Sequence, residues 1–586
     1  MIVGAGFYGK ALNSGENMKK LINEPTRVTR EMLEGMVAMN PSLALLGDET
    51  VVIRSDIEQW RRRGQVALIS GGGAGHEPAH AGYVGEGMLT AAVSGEVFTS
   101  PSTDAVLATI RACAGTAGVL LIIKNYTGDR LNFGLAAELA RAEGIAVHVV
   151  IVADDAAFDQ PVSAVNNRRG IAGTVFVHKV AGAAAAAGLD LARVKEEAAR
   201  AALAVRTMGV ALSACTVPAV GSPGFELPET EIELGLGIHG ERGIRRSPLV
   251  PADAIAAQLI DRLVADSGVT AGSRVVVLVN NLGATPLMEL NIIVRAALHE
   301  LGTRQIRVER LWCGTFLSAI DMAGCSISIL PVDPAVLSRL DAATSAPAWV
   351  AAPALPDYPT PIRISAPAPA VPQTDSSTTA VPGGARNVEL EGALQRIAAA
   401  LLAAEDRLTE LDQAAGDGDL GISMSRAARA ITANLGSLSR QPAAAALLSL
   451  SNILRREIAG SSGPFYAVGL GRAAACLRRG ESWADAFDGA CAAISELGGA
   501  RPGDRTMLDA LVPAAAVFRL SLGEGRIWLV AIRAAVAAAE QGAQHTAQLV
   551  ARRGRSVYLG DRVLGAPDPG AAAVAVWLRA LAGAPG

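Results

Sequence analysis

The chain has 586 residues, enough for about two to four domains, and half of its residues are hydrophobic. Its net charge of −4 and pI near 6.1 give no basic surface for a nucleic acid. No apolar run reaches the length of a membrane span, no signal peptide is evident, and the six cysteines form no CxxC pair. These features predict a cytoplasmic protein with reduced thiols that binds neither nucleic acid nor membranes.

The N-terminus carries a glycine pattern, GAGFYG, which matches the dinucleotide-binding GxGxxG at Gly4, Gly6 and Gly9. Such a site needs a strand before the glycines and a βαβ unit around them. Only three residues precede Gly4, and a polar, turn-like segment follows. We therefore expect residues 1–17 to be an N-terminal extension and not a nucleotide site.

From residue 18 to about residue 351, short aliphatic runs alternate with helical stretches. Four of these runs are predicted to be buried strands: 65–73, 118–126, 146–154 and 274–283. Their continuous apolar character, with helices between them, predicts a largely parallel α/β sheet. A second α/β lobe is expected after the alanine-rich helix near 181–208. Functional groups in such sheets lie where strands end and loops begin.

A glycine-rich segment, SGGGAGHEPAH, follows the first of these strands. It contains the zinc-protease pattern HExxH at His76 and His80, but that pattern works only on a regular helix. The glycines before it and Pro78 within it do not encode such a helix, so a zinc protease is not expected. A glycine loop at a strand end instead brings backbone N–H groups close to a small polar ligand, with His76 above it.

Two further segments carry groups suited to small-molecule chemistry. Lys124 and Asp129 follow a buried strand in KNYTGDRLNF, and alone they could form a structural ion pair. Beside His76 they would make an acid–base set in which Asp129 fixes the imidazole tautomer. His239 lies among glycines in GLGIHGERG. A structural histidine is the alternative there, yet an imidazole in such a loop can attack a carbonyl carbon and hold a ketone covalently.

The last third of the chain differs in composition. Residues 352–386 are rich in proline and predict a semi-extended linker. From residue 387 to residue 586 about eight amphipathic helical segments follow, and 389–412 is the clearest of them. No strand is needed to explain the pattern, so this region is predicted to be an all-α domain.

The most informative stretch of that region is LDQAAGDGDLG, residues 411–421. It places Asp412, Asp417 and Asp419 among glycines that permit sharp turns, with Asp412 expected to close a helix. Three converging carboxylates favour a hard cation such as Mg²⁺ or Ca²⁺. A helix that begins near Gly421 would direct backbone N–H groups at a phosphate. On spacing alone, a polar turn that caps a helix is the alternative; an EF-hand is excluded because its ligand pattern is missing.

Four motifs of the helical region stand in the order found in the nucleotide domain of dihydroxyacetone kinases: LDQAAGDGDLG, GSSGPFY at 460–466, GDRTMLDAL at 503–511 and DPGA at 568–571. The three segments of the α/β region resemble the ketose domain of the same family. The chain is thus similar to fused, two-domain members that use ATP. This resemblance implies a ketose domain over 18–351, a linker over 352–386, and an ATP- and Mg²⁺-binding eight-helix barrel over 387–586. Leu420 and Arg505 depart from the histidine and lysine that the family usually has there.

The resemblance also implies roles for individual residues. In the ketose domain, His239 would form a hemiaminal with the ketone, and His76 and Asp129 would be the acid–base pair. Gly73 and Lys124 would contact the substrate. In the helical domain, Asp412, Asp417 and Asp419 would hold Mg²⁺. The nucleotide contacts would come from Leu420, Gly421, Ile422, Ser423, Ser461, Ser462, Gly498, Met507, Arg555, Asp568, Pro569 and Gly570. By themselves, Arg505 and Arg555 would be interpreted as solvated surface charges.

The implied activity is phosphoryl transfer from ATP to a hydroxyl of a short ketose, foremost dihydroxyacetone (glycerone), in a homodimeric enzyme. The alternatives are an erythrulose kinase, a flavin-nucleotide (FAD-AMP) cyclising lyase and a non-catalytic, ketone-sensing co-regulator. A co-regulator is expected to have lost its metal-binding carboxylates, and all three are present here. Because both domains share one chain, we expect direct use of ATP and not of a phosphotransferase partner.

Overall fold

The computed structural model describes residues 19–157, 168–241, 243–357, 359–364, 385–458, 460 and 462–583. The chain divides into two compact units, residues 1–365 and 366–586. The glycine pattern at Gly4, Gly6 and Gly9 lies outside the described residues. Within the described part of the chain, no helix combines the length and apolarity that crossing a membrane requires.

Among its described residues, the first unit contains two six-stranded sheets. The strands of the first sheet are β1 Leu43–Leu45, β2 Val51–Arg54, β3 Ala67–Ala74, β4 Ala91–Val97, β5 Val119–Lys124 and β6 Val147–Val152. They stand in the order β1-β2-β4-β3-β5-β6, in which β4, β3, β5 and β6 are parallel and β1 and β2 form an antiparallel edge. The predicted strands 65–73, 118–126 and 146–154 correspond to β3, β5 and β6.

Helices cover both faces of the first sheet, which explains its unbroken apolar strands. The helices are α1 Val28–Met39, α2 Ile57–Arg62, α3 Thr103–Cys113, α4 Thr127–Ala142, α5 Thr174–Ala186 and α6 Leu191–Ala204. Helices α1, α5 and α6 pack on the face that includes Leu68 and Ile122. Helices α3 and α4 pack on the opposite face, against Ile69 and Leu121. The alanine-rich stretch near 181–208 therefore comprises parts of two helices, α5 and α6, and not one.

The second sheet begins directly after α6, where the second lobe was expected. Its strands are β7 Arg206–Ala211, β8 Glu231–Leu234, β9 Arg245–Pro248, β10 Arg274–Asn281, β11 Arg307–Gly314 and β12 Gly324–Pro331. Their order is β11-β10-β12-β7-β8-β9, and only β10 and β11 are a parallel pair. The prediction of a largely parallel sheet is confirmed for the first sheet and is wrong for this one.

The connections explain that difference, because parallel neighbours need a crossover of about a dozen residues or more. Strands β10 and β11 are joined by α8 (Leu287–Thr303), whereas β8 and β9 are joined by a loop and pair as antiparallel neighbours. Helices α7 (Ala252–Ser267) and α9 (Pro334–Asp341) complete this unit. Its second core contains apolar residues of the second sheet together with residues of α7 and α8.

The second unit contains nine α-helices among its described residues. They are α10 Val388–Ala403, α11 Glu405–Ala415, α12 Leu420–Leu438, α13 Ala443–Glu457, α14 Ser462–Arg478, α15 Trp483–Gly498, α16 Leu508–Gly523, α17 Trp528–His545 and α18 Pro569–Leu581. The segment 389–412, predicted as one helix, is interrupted at Ala404. This interruption allows α10 to pack on both α12 and α18 while α11 packs closely on the start of α12. From α12 onward each helix packs on the next, and α18 packs on α10.

Candidate active site

The residues predicted to bind a ketose meet at the carboxyl ends of the parallel strands of the first sheet. Gly73 lies near the end of β3, His76 follows that strand, and Lys124 ends β5. Asp129 lies in the first turn of α4. The loop between β8 and β9 carries His239 to the same place, so that its ring centroid lies 4.7 Å from that of His76. The fold therefore brings all five residues together from both sheets.

The glycines of this loop are needed because other groups approach their backbone closely. A Cβ atom on Gly73 would lie 2.6 Å from the backbone nitrogen of Thr99, and one on Gly72 would lie 3.1 Å from Lys124 Nζ. The HEPAH segment that follows does not form an α-helix. The second histidine of this segment, His80, forms a hydrogen bond with His178, in which His80 Nδ1 lies 2.9 Å from His178 Nε2.

The His76 imidazole is arranged as a neutral base. Its Nδ1 lies 2.8 Å from the carbonyl oxygen of Ser318, which can only accept, so Nδ1 carries the proton. Its Nε2 is buried and has no hydrogen-bond partner among the described residues. Burial lowers the pKa of His76 well below 6.5, and the charges of Lys124 and His239 lower it further. At neutral pH the ring therefore presents an unprotonated Nε2.

The prediction that Asp129 fixes the tautomer of His76 is wrong. The carbonyl group of Ser318 does so, because the connection between β11 and β12 crosses over the turn that carries His76. Asp129 instead accepts a hydrogen bond from Ser100 Oγ, at 2.5 Å. Its carboxylate also acts on Lys124, whose pKa it helps to raise against the effect of burial.

The His239 imidazole is arranged as a nucleophile. Its Nδ1 lies 2.8 Å from Glu241 Oε1, and its backbone N–H donates to Glu241 Oε2 at 2.9 Å. Burial alone would raise the pKa of Glu241, but the hydrogen bonds from the ring and the backbone of His239 oppose it, and the pKa is lowered to about 2. An ionised carboxylate accepts the Nδ1–H, which leaves the Nε2 lone pair available for a carbonyl carbon. Edge-to-face contacts with Phe98 and Tyr126, at 5.1 and 4.6 Å between centroids, hold the ring from two sides.

Three buried polar atoms around His239 have no hydrogen-bond partner among the described residues: Lys124 Nζ, Tyr126 Oη and His76 Nε2. Lys124 is fully buried, and desolvation lowers its pKa although nearby carboxylates, Asp129 foremost, oppose the shift. Leaving a buried polar group without a partner is costly, so such groups mark places where a ligand supplies one. A small polyhydroxy ketone has the oxygens to satisfy them.

In the second unit, the three predicted metal ligands converge. Helix α11 continues past Asp412 to Ala415, so Asp412 lies in its last turn and does not close it. Helix α12 begins at Leu420, close to the expected position. Carboxylate oxygens of Asp412, Asp417 and Asp419 lie within 4.8 Å of one another. Hard oxygen donors at this separation fit a divalent cation such as Mg²⁺.

The described residues predicted to bind a nucleotide lie at helix ends and in the connections between helices, at the same end of this unit. Short connections make consecutive helices antiparallel, so alternate connections share an end. Leu420 to Ser423 form the first turn of α12, Ser462 begins α14 and Gly498 ends α15. Met507 precedes α16, and Asp568 precedes Pro569 and Gly570 at the start of α18. Ser461 and the side chain of Arg555 lie outside the described residues.

Several of these residues also have packing roles. The Leu420 side chain is buried in the core, and only its main chain borders the acidic loop, where its N–H donates to Asp412 Oδ2 at 3.1 Å. A Cβ atom on Gly421 would lie 2.1 Å from Thr409 Oγ1, so α11 and α12 can touch only with glycine there. A Cβ atom on Gly498 would lie 2.8 Å from the Phe465 ring.

Arg505 is buried, so the interpretation of it as a solvated charge is wrong. It adopts a left-handed backbone conformation, with φ of 61°. Its Nη2 donates to the carbonyl oxygens of Val563 and Ala566, both at 3.0 Å, and so anchors the segment before α18. Burial lowers the pKa of Arg505 and raises that of Asp568 to about 6, while each charge opposes the shift of the other.

Four residues of the ketose site were not predicted: Phe98, Tyr126, Glu241 and Ser318. Two of them had a local signal, because Glu241 follows His239 within GIHGERG and Tyr126 follows Lys124 at the same strand end. Phe98 follows β4, and Ser318 lies in the connection between β11 and β12. Both reach the site through the tertiary fold, and no sequence pattern around them points to it.

Comparison with known proteins matches both units of the chain to known domains. Residues 34–348 match the Dak1 domain and residues 414–583 match the DAK2 domain. The chain is 45% identical over 576 residues to a Homo sapiens protein named triokinase/FMN cyclase, with 96% of this chain and 98% of the relative covered. It is 36% identical over 581 residues to the dihydroxyacetone kinase of Citrobacter freundii, with 96% of this chain and 98% of that relative covered.

A solved structure extends the match to three dimensions. The crystal structure of the C. freundii dihydroxyacetone kinase in complex with AMP-PNP and Mg²⁺ matches with a TM-score of 0.61 at 34% identity, covering 97% of this chain and 100% of that one. The two matched domains and these full-length relatives together show that the chain belongs to the dihydroxyacetone kinase family, in the form that carries both domains in one polypeptide.

Proposed function

We propose that this protein is a kinase that transfers a phosphoryl group from ATP to a short ketose, with dihydroxyacetone as the substrate. One observation carries the proposal: the imidazoles of His76 and His239 lie 4.7 Å apart, and the Nδ1 atom of each is already engaged. Both Nε2 atoms are therefore free for one small molecule that offers a carbonyl carbon and a hydroxyl group. The names of the human and C. freundii relatives support the same activity.

The ketone is captured on His239. The Nε2 lone pair forms a bond to the carbonyl carbon, the π pair of the carbonyl moves to oxygen, and that oxygen takes a proton from solvent to become a hydroxyl group. The positive charge left on the ring faces the Glu241 carboxylate, which hydrogen-bonds Nδ1 at 2.8 Å. The adduct removes the translational freedom of the substrate before transfer.

His76 then acts as the base. As the terminal hydroxyl oxygen of the ketose attacks the γ-phosphorus of ATP, its proton passes to the unprotonated Nε2 of His76, and ADP leaves. Burial keeps the pKa of His76 low, so the ring is neutral at physiological pH. Lys124 Nζ and Tyr126 Oη supply donors for the other ketose oxygens. Gly73 is assigned as a further substrate contact; without a Cβ atom there, the backbone of Phe98 and Thr99 can approach it closely.

Asp412, Asp417 and Asp419 would hold Mg²⁺, which when bound neutralises charge on the nucleotide phosphates. Leu420 to Ser423, the first turn of α12, are assigned to the phosphate at the same end of the unit. The backbone N–H groups of Gly421 and Ile422 would face it, because that of Leu420 donates to Asp412 Oδ2 and that of Ser423 donates to the carbonyl oxygen of Asp419. The other nucleotide contacts are assigned to Ser461, Ser462, Gly498, Met507, Arg555, Asp568, Pro569 and Gly570.

The finer organisation forms part of the same proposal. We assign residues 18–351 to the ketose domain, 352–386 to the linker and 387–586 to the nucleotide domain, with 1–17 as an extension. Counting α10 and α11 as one bent helix, the packing of α12 to α18 and the return of α18 to α10 support an eight-helix barrel. We further assign the protein to the cytoplasm as a homodimer.

The alternatives use the same residues differently. An erythrulose kinase would need the same two histidines with slightly more room. A cyclising lyase would use the carboxylates of the second unit without His239, and the name of the human relative includes FMN cyclase. The paired histidines of the ketose site favour a kinase over the lyase. The three converging carboxylates of the second unit favour a kinase over a ketone-sensing co-regulator.

The test is release of ADP from MgATP in the presence of dihydroxyacetone or erythrulose. We expect turnover by the wild type, loss of turnover with Asp417→Asn, and a large rise in the KM for ketose with His239→Ala. Asp406→Asn, an exposed residue of α11, and His299→Ala, an exposed residue of α8, are matched controls that should behave as the wild type. If folded wild type releases no ADP with either ketose, the kinase proposal fails; AMP release from FAD would then identify the lyase.

A further inference from the structure

Phe98, which follows β4, is held in an unusual conformation next to the glycine loop. Its backbone φ is 60°, a left-handed value that bulky residues rarely adopt and that persists where surrounding structure imposes it, often at functional sites. Its backbone N–H donates to the carbonyl oxygen of Ala74 at 2.9 Å. A Cβ atom on Gly73 would lie 2.8 Å from Phe98 Cα, and one on Gly75 would lie 2.9 Å from Phe98 Cε1. Gly73 therefore makes room for the backbone at Phe98, and Gly75 makes room for its ring.

The Phe98 ring contacts both reactive imidazoles. It stacks on His76 at 5.0 Å between centroids with an interplanar angle of 18°, and it meets His239 edge to face at 5.1 Å and 84°. With the 4.7 Å between the two histidines, the three rings form a nearly equilateral triangle. Removing the Phe98 ring would change the distance between the two imidazoles and the space beside them.

The chemistry of the substrate makes that spacing important. In dihydroxyacetone the reacting hydroxyl oxygen is attached to the carbon next to the carbonyl carbon. A molecule bonded to His239 Nε2 and hydrogen-bonded to His76 Nε2 therefore has to be short. Each further carbon in a longer ketose needs additional room beside the three rings. Among the described residues, Phe98 is the one apolar side chain whose ring contacts both histidines.

We propose that Phe98 determines ketose specificity by setting the distance between His239 and His76 and by excluding longer carbon chains. This inference rests on the proposed kinase function, and it adds a residue that the family motifs do not include. The ordinary alternative is that Phe98 only packs in its small apolar cluster, which also contains Cys215, Leu236 and Ile320. The two explanations differ in what happens to the ratio between substrates.

The experiment compares kcat/KM for dihydroxyacetone and for erythrulose in wild type, Phe98→Ala and Phe98→Leu. We expect the erythrulose-to-dihydroxyacetone ratio to rise at least about tenfold in Phe98→Ala, the size typical of discrimination by an apolar pocket. Phe98→Leu should shift the ratio in the same direction by less, and the KM for MgATP should stay unchanged. Phe225→Ala is the matched control, because Phe225 belongs to the same cluster and makes no described ring contact with either histidine.

A ratio within about twofold of wild type in both Phe98 variants, with equal losses for both ketoses, would overturn the inference and leave Phe98 a packing residue. Near-UV circular dichroism checks folding; if Phe98→Ala does not fold, Phe98→Leu decides by the same ratio. The wild type, tested alongside, separates failure of the kinase proposal from failure of the Phe98 inference. If it turns over neither ketose, the kinase proposal fails. If it turns over at least one, the change in the erythrulose-to-dihydroxyacetone ratio tests the role of Phe98.

Discussion

Replacing Glu241 by glutamine tests whether the Glu241 carboxylate makes the His239 imidazole a nucleophile. The carboxylate holds His239 through two contacts, to Nδ1 at 2.8 Å and to the backbone N–H at 2.9 Å. Glutamine has nearly the same shape and can still accept from Nδ1–H. It lacks the negative charge that keeps the Nδ1–H tautomer and that faces the positive ring of the adduct. The change therefore removes the charge and one of the two hydrogen bonds, because the amide NH2 group cannot accept, while the packing is retained.

The expected size of the effect on kcat/KM follows from the hydrogen bonds that Glu241 accepts. Hydrogen bonds to charged groups contribute about 1.5–3 kcal/mol. The Glu241 side chain is 37% exposed, so solvent screening places its contribution at the lower end, about 1.5 kcal/mol. Since 1.4 kcal/mol corresponds to a tenfold change, Glu241→Gln should lower kcat/KM for the ketose by about tenfold.

The assay is steady-state ADP release at varied ketose and varied MgATP. The loss should fall mainly on the KM for ketose, while the KM for MgATP stays unchanged. Glu229→Gln, an exposed glutamate of the same unit, is the matched control. Equal kinetics in wild type and Glu241→Gln would refute the reasoning, and so would a loss that affects MgATP to the same extent.

Three further predictions concern acid stability, helix packing and the metal. Burial holds the pKa of His178 at about 3 and that of His76 well below 6.5, so the folded state binds fewer protons than the unfolded state. The stability present above pH 6.5 is therefore lost as the pH falls toward these values, by up to about 1.4 kcal/mol per pH unit for each histidine. Calorimetry between pH 7 and pH 5 should show a shallower loss for His178→Gln, and equal slopes would contradict this account. Gly421→Ala should destabilise the second unit by about 1–3 kcal/mol in urea unfolding, because its Cβ would lie 2.1 Å from Thr409 Oγ1. Gly436→Ala in the same helix, with nothing within 4 Å, should not destabilise it, and similar effects of the two changes would exclude the packing explanation. Asp419→Asn should shift the Mg²⁺ dependence of turnover to at least about tenfold higher concentration, and an unchanged dependence would remove Asp419 from the metal site.

The pattern of apolar residues predicted the strands and their arrangement correctly where the burial of a strand in the sheet matches its composition. The apolar runs that became β3, β5 and β6 are continuous because helices cover both faces of their sheet. The same reasoning failed for the second sheet, because β10 has an equally apolar run but pairs antiparallel with β12. Strand direction depends on the connections, and a strand's own composition does not encode it.

The site shows the same limit at the level of single residues. His76, Lys124 and His239 stand in recognisable motifs, and the fold brings them together. The contacts that set the protonation of these side chains could not be predicted from the sequence. The tautomer of His76, for example, depends on the carbonyl group of Ser318, which is 242 positions away in the chain. A backbone carbonyl can belong to any residue type, so no sequence pattern marks it. Leu420 and Arg505, the two departures from the family pattern, are both buried and are explained by packing and by anchoring.

The central claim is that His239 bonds covalently to the ketone. The most direct measurement is a carbon-13 NMR spectrum of dihydroxyacetone labelled at its carbonyl carbon, mixed with stoichiometric protein in the absence of ATP. We predict that wild type gives a new signal in the region of tetrahedral carbon bonded to oxygen and nitrogen, and that His239→Ala gives none while His299→Ala behaves as wild type. A labelled ketose that binds wild type with its carbonyl signal intact would contradict the account.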